Sequence, residues 1–302
     1  MRAYRLYQVD SFTKTKLLGN PAGVVANADG LTPEEMQQIA RELNNSETAF
    51  LLSPLDATHD VWVRFFTPST EVPICGHATI AAHYVRALEK RLGNVRVLQK
   101  TGAGILPVDI VHDGDDYQMV MTPGAVVFGS VLEISDISEL CSALGITPAD
   151  LRADCPVQVV STGHSKVMVA LREPALLQQL RPDLERLSAL SANIGCNGYY
   201  LFTLHPGEEA AVHGRMFAPA IGIAEDPVTG NANGPLGAYL AHYRIFSPQG
   251  DRLVFTAVQG EAIHRPGSME VRVRLSEGEP VEVQIAGYAA VAFATTLLMD
   301  ER

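Results

Sequence analysis

Apolar and polar positions alternate along MRAYRLYQVDSF, which predicts a first strand over residues 4–9, and a second strand follows at 23–26. The LLGNPAG segment between them reads as a turn-rich loop. The period then changes. Met36, Ile39, Ala40 and Leu43 recur three and four residues apart, the spacing of one helix face. Thr32-Pro33-Glu34-Glu35 supplies the start of that helix: threonine caps it, proline suits its first position and Glu35 completes a capping box. The helix should end near Asn44–Asn45, with strands at 49–52 and 61–66 after it. Residues 67–76 are a proline-rich polar loop. Residues 77–88 open as HATIAAHYV, apolar on nearly every side, which predicts a helix buried all round.

The second half of the chain repeats this plan. RFFTPSTEVPICGHAT begins at Arg64 and RMFAPAIGIAEDPVTGNAN at Arg215. Phe66 pairs with Phe217 and Pro68 with Pro219; after a three-residue insertion Pro73 pairs with Pro227, Gly76 with Gly230 and Ala78 with Ala232. NSETAFL at Asn45 lines up with GCNGYYL at Gly195, so that Glu47 faces Asn197. LRPDLERLSALSANIG echoes the capped amphipathic helix with its proline. Residues 230–243 echo the buried one, although Gly234, Pro235 and Gly237 weaken its start. TGAG at Thr101 echoes QGEA at Gln259. Residues 123–156 read as a linker with a small helix starting at Thr147-Pro148. The expected fold class is therefore α+β. Two pseudo-symmetric lobes arise from an internal duplication, each a curled, mostly antiparallel sheet around a central helix. Residues 1–123 form the first lobe, completed by a final strand near 286–296, and 124–302 the second.

Composition narrows the function. A chain of 302 residues with 47% hydrophobic and 19% charged residues is long enough for two cores. A net charge of −11 argues against nucleic acid or an anionic membrane as partner. No apolar run is long enough to span a membrane, and the N-terminus lacks the apolar region of a signal peptide. Cys75, Cys141, Cys155 and Cys196 are scattered without metal-ligand spacing. The expectation is a reduced, cytoplasmic enzyme without metal or cofactor.

Chemistry-bearing residues collect at the repeated joints. Gly76-His77-Ala78 and Gly230-Asn231-Ala232 place small residues at two helix starts, where unpaired amides favour an anion such as a carboxylate. Each candidate also has a plain reading. On that reading the glycines serve only tight turns, Glu47 is a surface residue, Asp226 opens an Asp-Pro turn, His77 caps a helix and Cys75 is a small buried hydrophobe. Their recurrence at equivalent joints favours a site in the cleft between the lobes.

GNPAGVV at Gly19, NNSETAFL at Asn44, FFTPSTEVPICGHAT at Phe65 and GRMFAPAIGIAEDPVTGNANGP at Gly214 resemble the PhzF-like family, relatives of phenazine biosynthesis protein F, in its YddE-like branch. The likeness runs the whole length in the right order. It implies the diaminopimelate-epimerase-like fold and a cofactor-free, metal-free isomerase, commonly a homodimer. Glu47 matches the family's acid/base carboxylate, His77 its active-site histidine and Asp226 its active-site aspartate. Gly76, Ala78, Gly230, Asn231 and Ala232 match the substrate-binding helix starts. The implied reaction is a suprafacial proton shift between carbons of a small carboxylate-bearing substrate, cyclic or unsaturated and amino-acid-like. Glu47 carries the proton, which requires a dry site. Fold relatives that racemise amino acids use one cysteine from each lobe. Here the first is Cys75, but the matching second position is Thr229, too weak an acid to replace a thiol. An epimerase or racemase, and a ligand-binding protein without turnover, remain as alternatives.

Overall fold

The protein is described by a computed structural model covering residues 1–300. It divides into two compact units, residues 1–122 with 286–300 and residues 123–285.

The first unit contains β1 (Arg2–Ser11), β2 (Asn20–Val25), α1 (Pro33–Leu43), β3 (Thr48–Leu52), β4 (Val61–Phe66), β5 (Glu71–Val72), α2 (Gly76–Lys90), β6 (Val95–Thr101), β7 (Gly104–Asp113) and β8 (Asp116–Met121). The C-terminal strand Ala289–Met299 pairs with β1, from Arg2 opposite Met299 to Ser11 opposite Ala289. Beyond β1 the order is β2, β3, β4, β6, β7, β8, antiparallel except for β2–β3 and β4–β6. Strand β2 begins three residues earlier than the local pattern predicts. Asp10 and Ser11 continue β1 and pair with Pro21 and Asn20, so tertiary pairing overrides the turn signal of GNPAG.

The sheet curls around α2, which packs against β1, β2, β3, β7, β8 and the C-terminal strand. That enclosure explains why its side chains from His77 to Val85 are all buried. Helix α1 has the expected amphipathic form. Thr32 accepts from the Glu35 amide and Glu35 answers at the Thr32 amide, closing the capping box. Asn44, in the left-handed region at φ 52°, ends the helix.

The second unit contains β9 (Val127–Val131), α3 (Ile134–Leu144), β10 (Gln158–Ser161), β11 (Lys166–Ala170), α4 (Pro174–Gln179), α5 (Leu184–Ile194), β12 (Tyr199–Leu204), β13 (Val212–Ala218), β14 (Ile223–Asp226), α6 (Gly230–His242), β15 (Arg252–Gln259), β16 (Gly267–Ser276) and β17 (Glu279–Gly287). The C-terminal strand is then β18. Here the order β9, β10, β11, β12, β13, β15, β16 is antiparallel except for β11–β12 and β13–β15. The succession of parallel and antiparallel steps matches that of the first unit. Each unit also closes an equivalent hairpin with a bidentate ion pair, Arg64–Glu71 on β4–β5 and Arg215–Glu225 on β13–β14.

Helix α6 runs unbroken through Pro235, against the expectation that Gly234, Pro235 and Gly237 weaken it. Its faces are buried, and packing outweighs propensity. Gly237 is required by close approach: a Cβ there would lie 2.6 Å from Val271 Cγ1 on β16. The expected helix at Thr147-Pro148 is corrected. Its capping box forms with Asp150, but only a three-residue 3₁₀ turn follows, because Leu151 leaves to bridge Leu171. The helix of this region is α3, which starts at Ile134 without a side-chain cap. The α5 cap is Asp183, one residue after the proline.

His83 lies on α2 with no exposed surface. One ring nitrogen bonds Gln99 Oε1 at 3.0 Å and the other, Nδ1, has no partner among the described residues. Burial pushes this imidazole down to about 4 from 6.5. The unfolded chain therefore binds one more proton than the fold between those values, and stability falls as pH drops from 6.5 to 4. His83→Gln should flatten that limb by about 3 kcal/mol, measured by urea unfolding across the pH range.

Candidate functional site

In the first unit a single cluster forms where the α1–β3 joint meets the start of α2. The joint is held by the Glu47 carbonyl, which accepts from the Gly23 amide at 3.3 Å. Its side chain therefore leaves the strand edge as β3 begins, and Glu47 Oε2 lies 3.4 Å from His77 Nε2. Ser46 Oγ lies 3.3 Å from the same nitrogen. Cys75, the residue before α2, places its sulfur 3.5 Å from His77 Nδ1. Both acid/base candidates are largely sheltered, with side-chain exposures of 15% for Glu47 and 8% for His77. Ser11 Oγ donates to the His77 carbonyl at 2.7 Å and fixes the first helical turn.

Cys75 makes no side-chain cap to α2. The amides of Gly76 and His77 have no acceptor among the described residues, so they present paired donors and the positive end of the helix dipole. Ala78 is fully buried and contributes small size. Glu47, Cys75 and His77 also offer carboxylate, thiol and imidazole atoms within 4.8 Å of one another, a donor set able to hold a metal. Cysteine spacing alone could not reveal it, because its members come from different elements.

The second unit assembles different groups on the same frame. Thr229 occupies the Cys75 place before α6, and its hydroxyl donates to Asp226. Gln259 Nε2 donates to the Asp226 carbonyl at 2.8 Å, while its oxygen accepts from the Thr229 amide at 3.1 Å. Asn233 and Tyr200 complete this buried network through a 2.8 Å bond. The amides of Gly230 and Asn231 again lack acceptors among the described residues, but that of Ala232 is taken by the Thr229 carbonyl at 3.2 Å. Asn197, in the place of Glu47, turns its amide to His164 Nδ1 at 3.3 Å. The two units thus differ in polarity: one holds a carboxylate–imidazole–thiol cluster, the other a hydroxyl-supported aspartate.

Comparison with known proteins decides the family. The family model for phenazine biosynthesis-like proteins matches residues 9–295. The chain belongs to the phenazine biosynthesis-like protein family. It is 56% identical over 301 residues to an uncharacterized isomerase of Clostridium acetobutylicum, covering 99% of this chain and all of that one. It is 47% identical to the uncharacterized isomerase YddE of Escherichia coli K12, covering 96% of each. It is 32% identical to the trans-2,3-dihydro-3-hydroxyanthranilate isomerase of Pseudomonas aeruginosa, covering 96% and 98%. The crystal structure of a PhzF-family protein of Bacillus anthracis superposes with a TM-score of 0.88 at 32% identity, covering 99% and 100%. A hydroxyproline epimerase of Agrobacterium vitis, at 13% identity and a TM-score of 0.65, shares the fold. The chain is accordingly an isomerase of this family with an epimerase-like α+β fold. None of its described helices is long and apolar enough to cross a membrane.

Sequence reasoning missed Lys166. It opens the otherwise apolar strand KVMVA, a signal available in the sequence, and is 2% exposed. Its ammonium donates to the Ser165 carbonyl at 3.3 Å. Burial pushes Lys166 down to about 8, with Asp226 and then Cys196 pulling it partly back up. Burial, followed by the charge of Lys166, also lowers His164. The cost of holding Lys166 charged is complete below pH 8 and is relieved as pH rises from about 8 to 10.5. Lys166→Met should therefore stabilise the protein by about 1–3 kcal/mol at pH 7. The gain should shrink toward pH 10.5, as read from denaturant midpoints at the two pH values.

Proposed function

We propose that this isomerase moves a proton between carbons of a small carboxylate-bearing substrate, cyclic or unsaturated and amino-acid-like, without a cofactor. Glu47 takes the proton and returns it. The observation that carries this reading is the sheltered Glu47–His77 pair at 3.4 Å beside a helix start with unpaired amides. Shelter supports proton abstraction from carbon, because solvent is kept from competing for the proton. The amides of Gly76 and His77 suit the substrate carboxylate and the negative charge that develops as the proton leaves. His77 sets the position of Glu47. We further propose that Asp226, with the helix start at Gly230 and Asn231, takes part in substrate binding and orients an amine or hydroxyl. The reaction named for the Pseudomonas aeruginosa relative supports the class of substrate.

Glu47→Gln should lower kcat by about 10²–10⁴-fold with the fold intact, because an amide cannot carry the proton. Cys75→Ser should retain far more activity, because Thr229 leaves the thiol without a second partner. The assay is single-substrate turnover on a panel of cyclic dienyl and enamine carboxylates. The thiol 3.5 Å from His77 favours one second reading, a thiol-based epimerase. Near-complete loss in Cys75→Ser beside an active Glu47→Gln would establish that reading instead. Turnover should also survive dialysis against a chelator. Loss of stoichiometric metal together with activity would assign the Glu47–Cys75–His77 donor set to an ion.

We also propose a homodimer. On β18 the apolar side chains of Phe293 and Leu298 are exposed, which supports a covering partner. Light scattering should give a dimer mass for the parent and a monomer mass for Phe293→Glu/Leu298→Glu. A monomeric parent would remove the proposal.

A further inference from the structure

The hairpin β12–β13 carries a second cluster with no place in the proton-transfer chemistry. His205, Glu208 and His213 each offer one ligand atom, and those atoms all lie within 4.8 Å of one another. The sequence spacing looks unpromising, because the residues straddle a turn. Backbone register brings them together. Thr203 on β12 pairs with His213 on β13, so both side chains stand on the same face, and His205 follows two residues later on that face. The turn places Glu208 beside them, with its amide bonded to the His205 carbonyl at 3.2 Å.

The ring orientations are set by further bonds. His213 Nδ1 lies 2.7 Å from Glu261 Oε2, and Gln178 Nε2 donates to the same oxygen at 3.2 Å. The carboxylate therefore holds the proton on Nδ1 and leaves Nε2 of His213 as the basic nitrogen. His205 is oriented in the opposite sense. Its Nε2 contacts Thr203 Oγ1 at 3.0 Å, while its Nδ1 faces Glu208 Oε1 at 3.6 Å. The two rings lie 4.6 Å apart between centroids. A carboxylate behind one imidazole and a hydroxyl behind the other is the outer arrangement that fixes histidine ligands on a metal.

We propose that His205, Glu208 and His213 form a binding site for a divalent first-row transition ion of the zinc class, with Glu261 and Thr203 as positioning residues. Two imidazoles and one carboxylate suit such an ion, and three protein ligands leave a coordination position for water. The site lies at the turn end of the hairpin. Five residue steps, roughly 17 Å of strand, separate the Leu204–Val212 pair there from the Tyr199–Phe217 pair at the other end. Its role is to staple the turn.

The experiment titrates the full-length protein with zinc alone against a chromophoric chelator, then repeats the loading with cobalt. Zinc should bind at micromolar concentration, and the stoichiometry should fall by one ion per chain in His205→Gln/His213→Gln. Glu261→Gln should weaken the site about 10–100-fold. Cobalt at this site should give nitrogen- and oxygen-ligand bands that persist in Cys75→Ser, which removes the thiolate of the other donor set. Circular dichroism checks that each variant is folded. Unchanged stoichiometry in the double histidine variant would overturn the proposal. So would a cobalt spectrum abolished by Cys75→Ser, or zinc affinity indifferent to Glu261→Gln.

Discussion

Each unit depends on the burial of one helix inside a curled sheet. A helix enclosed by strands on most sides must be apolar around its circumference, and α2 and α6 are. Enclosure also governs the helix start. No side chain caps α2 at Cys75 or α6 at Thr229, so first-turn amides are left without partners where small residues allow close approach. The surrounding strands fix those amides in place and supply the neighbouring polar groups. The chemistry is thus a by-product of how the core is packed.

The two units use one frame for different ends. The Arg–Glu hairpin closures recur, as do the strand order and the helix starts. The polar groups at the equivalent positions do not. Glu47 becomes Asn197, Cys75 becomes Thr229, His77 becomes Asn231, and Asp226 stands where the first copy has Val72. Backbone donors follow from the fold and are kept in both copies. The ionisable side chains are not required by the fold and differ between the two frames. A single carboxylate beside one imidazole fits one-base proton transfer better than a symmetric pair of thiols.

Buried ionisable groups away from Glu47 carry a different cost. His83 is held neutral by complete burial, although its one bond to Gln99 favours the charged ring. Lys166 is buried near Asp226 within the same unit. Neither gains enough from its partners to cancel the loss of water. A core that retains such groups gives up stability at particular pH values. For Lys166, its proximity to Asp226 links that loss to the polar network around Thr229 and Gln259.

Much of the local structure was legible in the sequence, because it depends on neighbours in the chain. The capping box at Thr32–Glu35, the apolar face of α1 and the all-round apolar character of α2 are properties of short segments. The repeats of Arg64–Ala78 in Arg215–Ala232 and of Asn45–Leu51 in Gly195–Leu201 singled out Glu47, His77 and Asp226 as candidates by their joints. Pairing across the sheet decided the rest. Asn20 and Pro21 entered β2 because β1 extends opposite them, and the capped turn at Thr147 stopped because Leu151 reaches Leu171. The closeness of Glu47, Cys75 and His77, and that of His205, Glu208 and His213, comes from register and from packing of separate elements. A sequence specifies the periodicity and caps of each element through contacts a few residues long. Which polar side chains meet is decided only when distant segments exclude water together, because that step sets both their distance and the strength of their interaction.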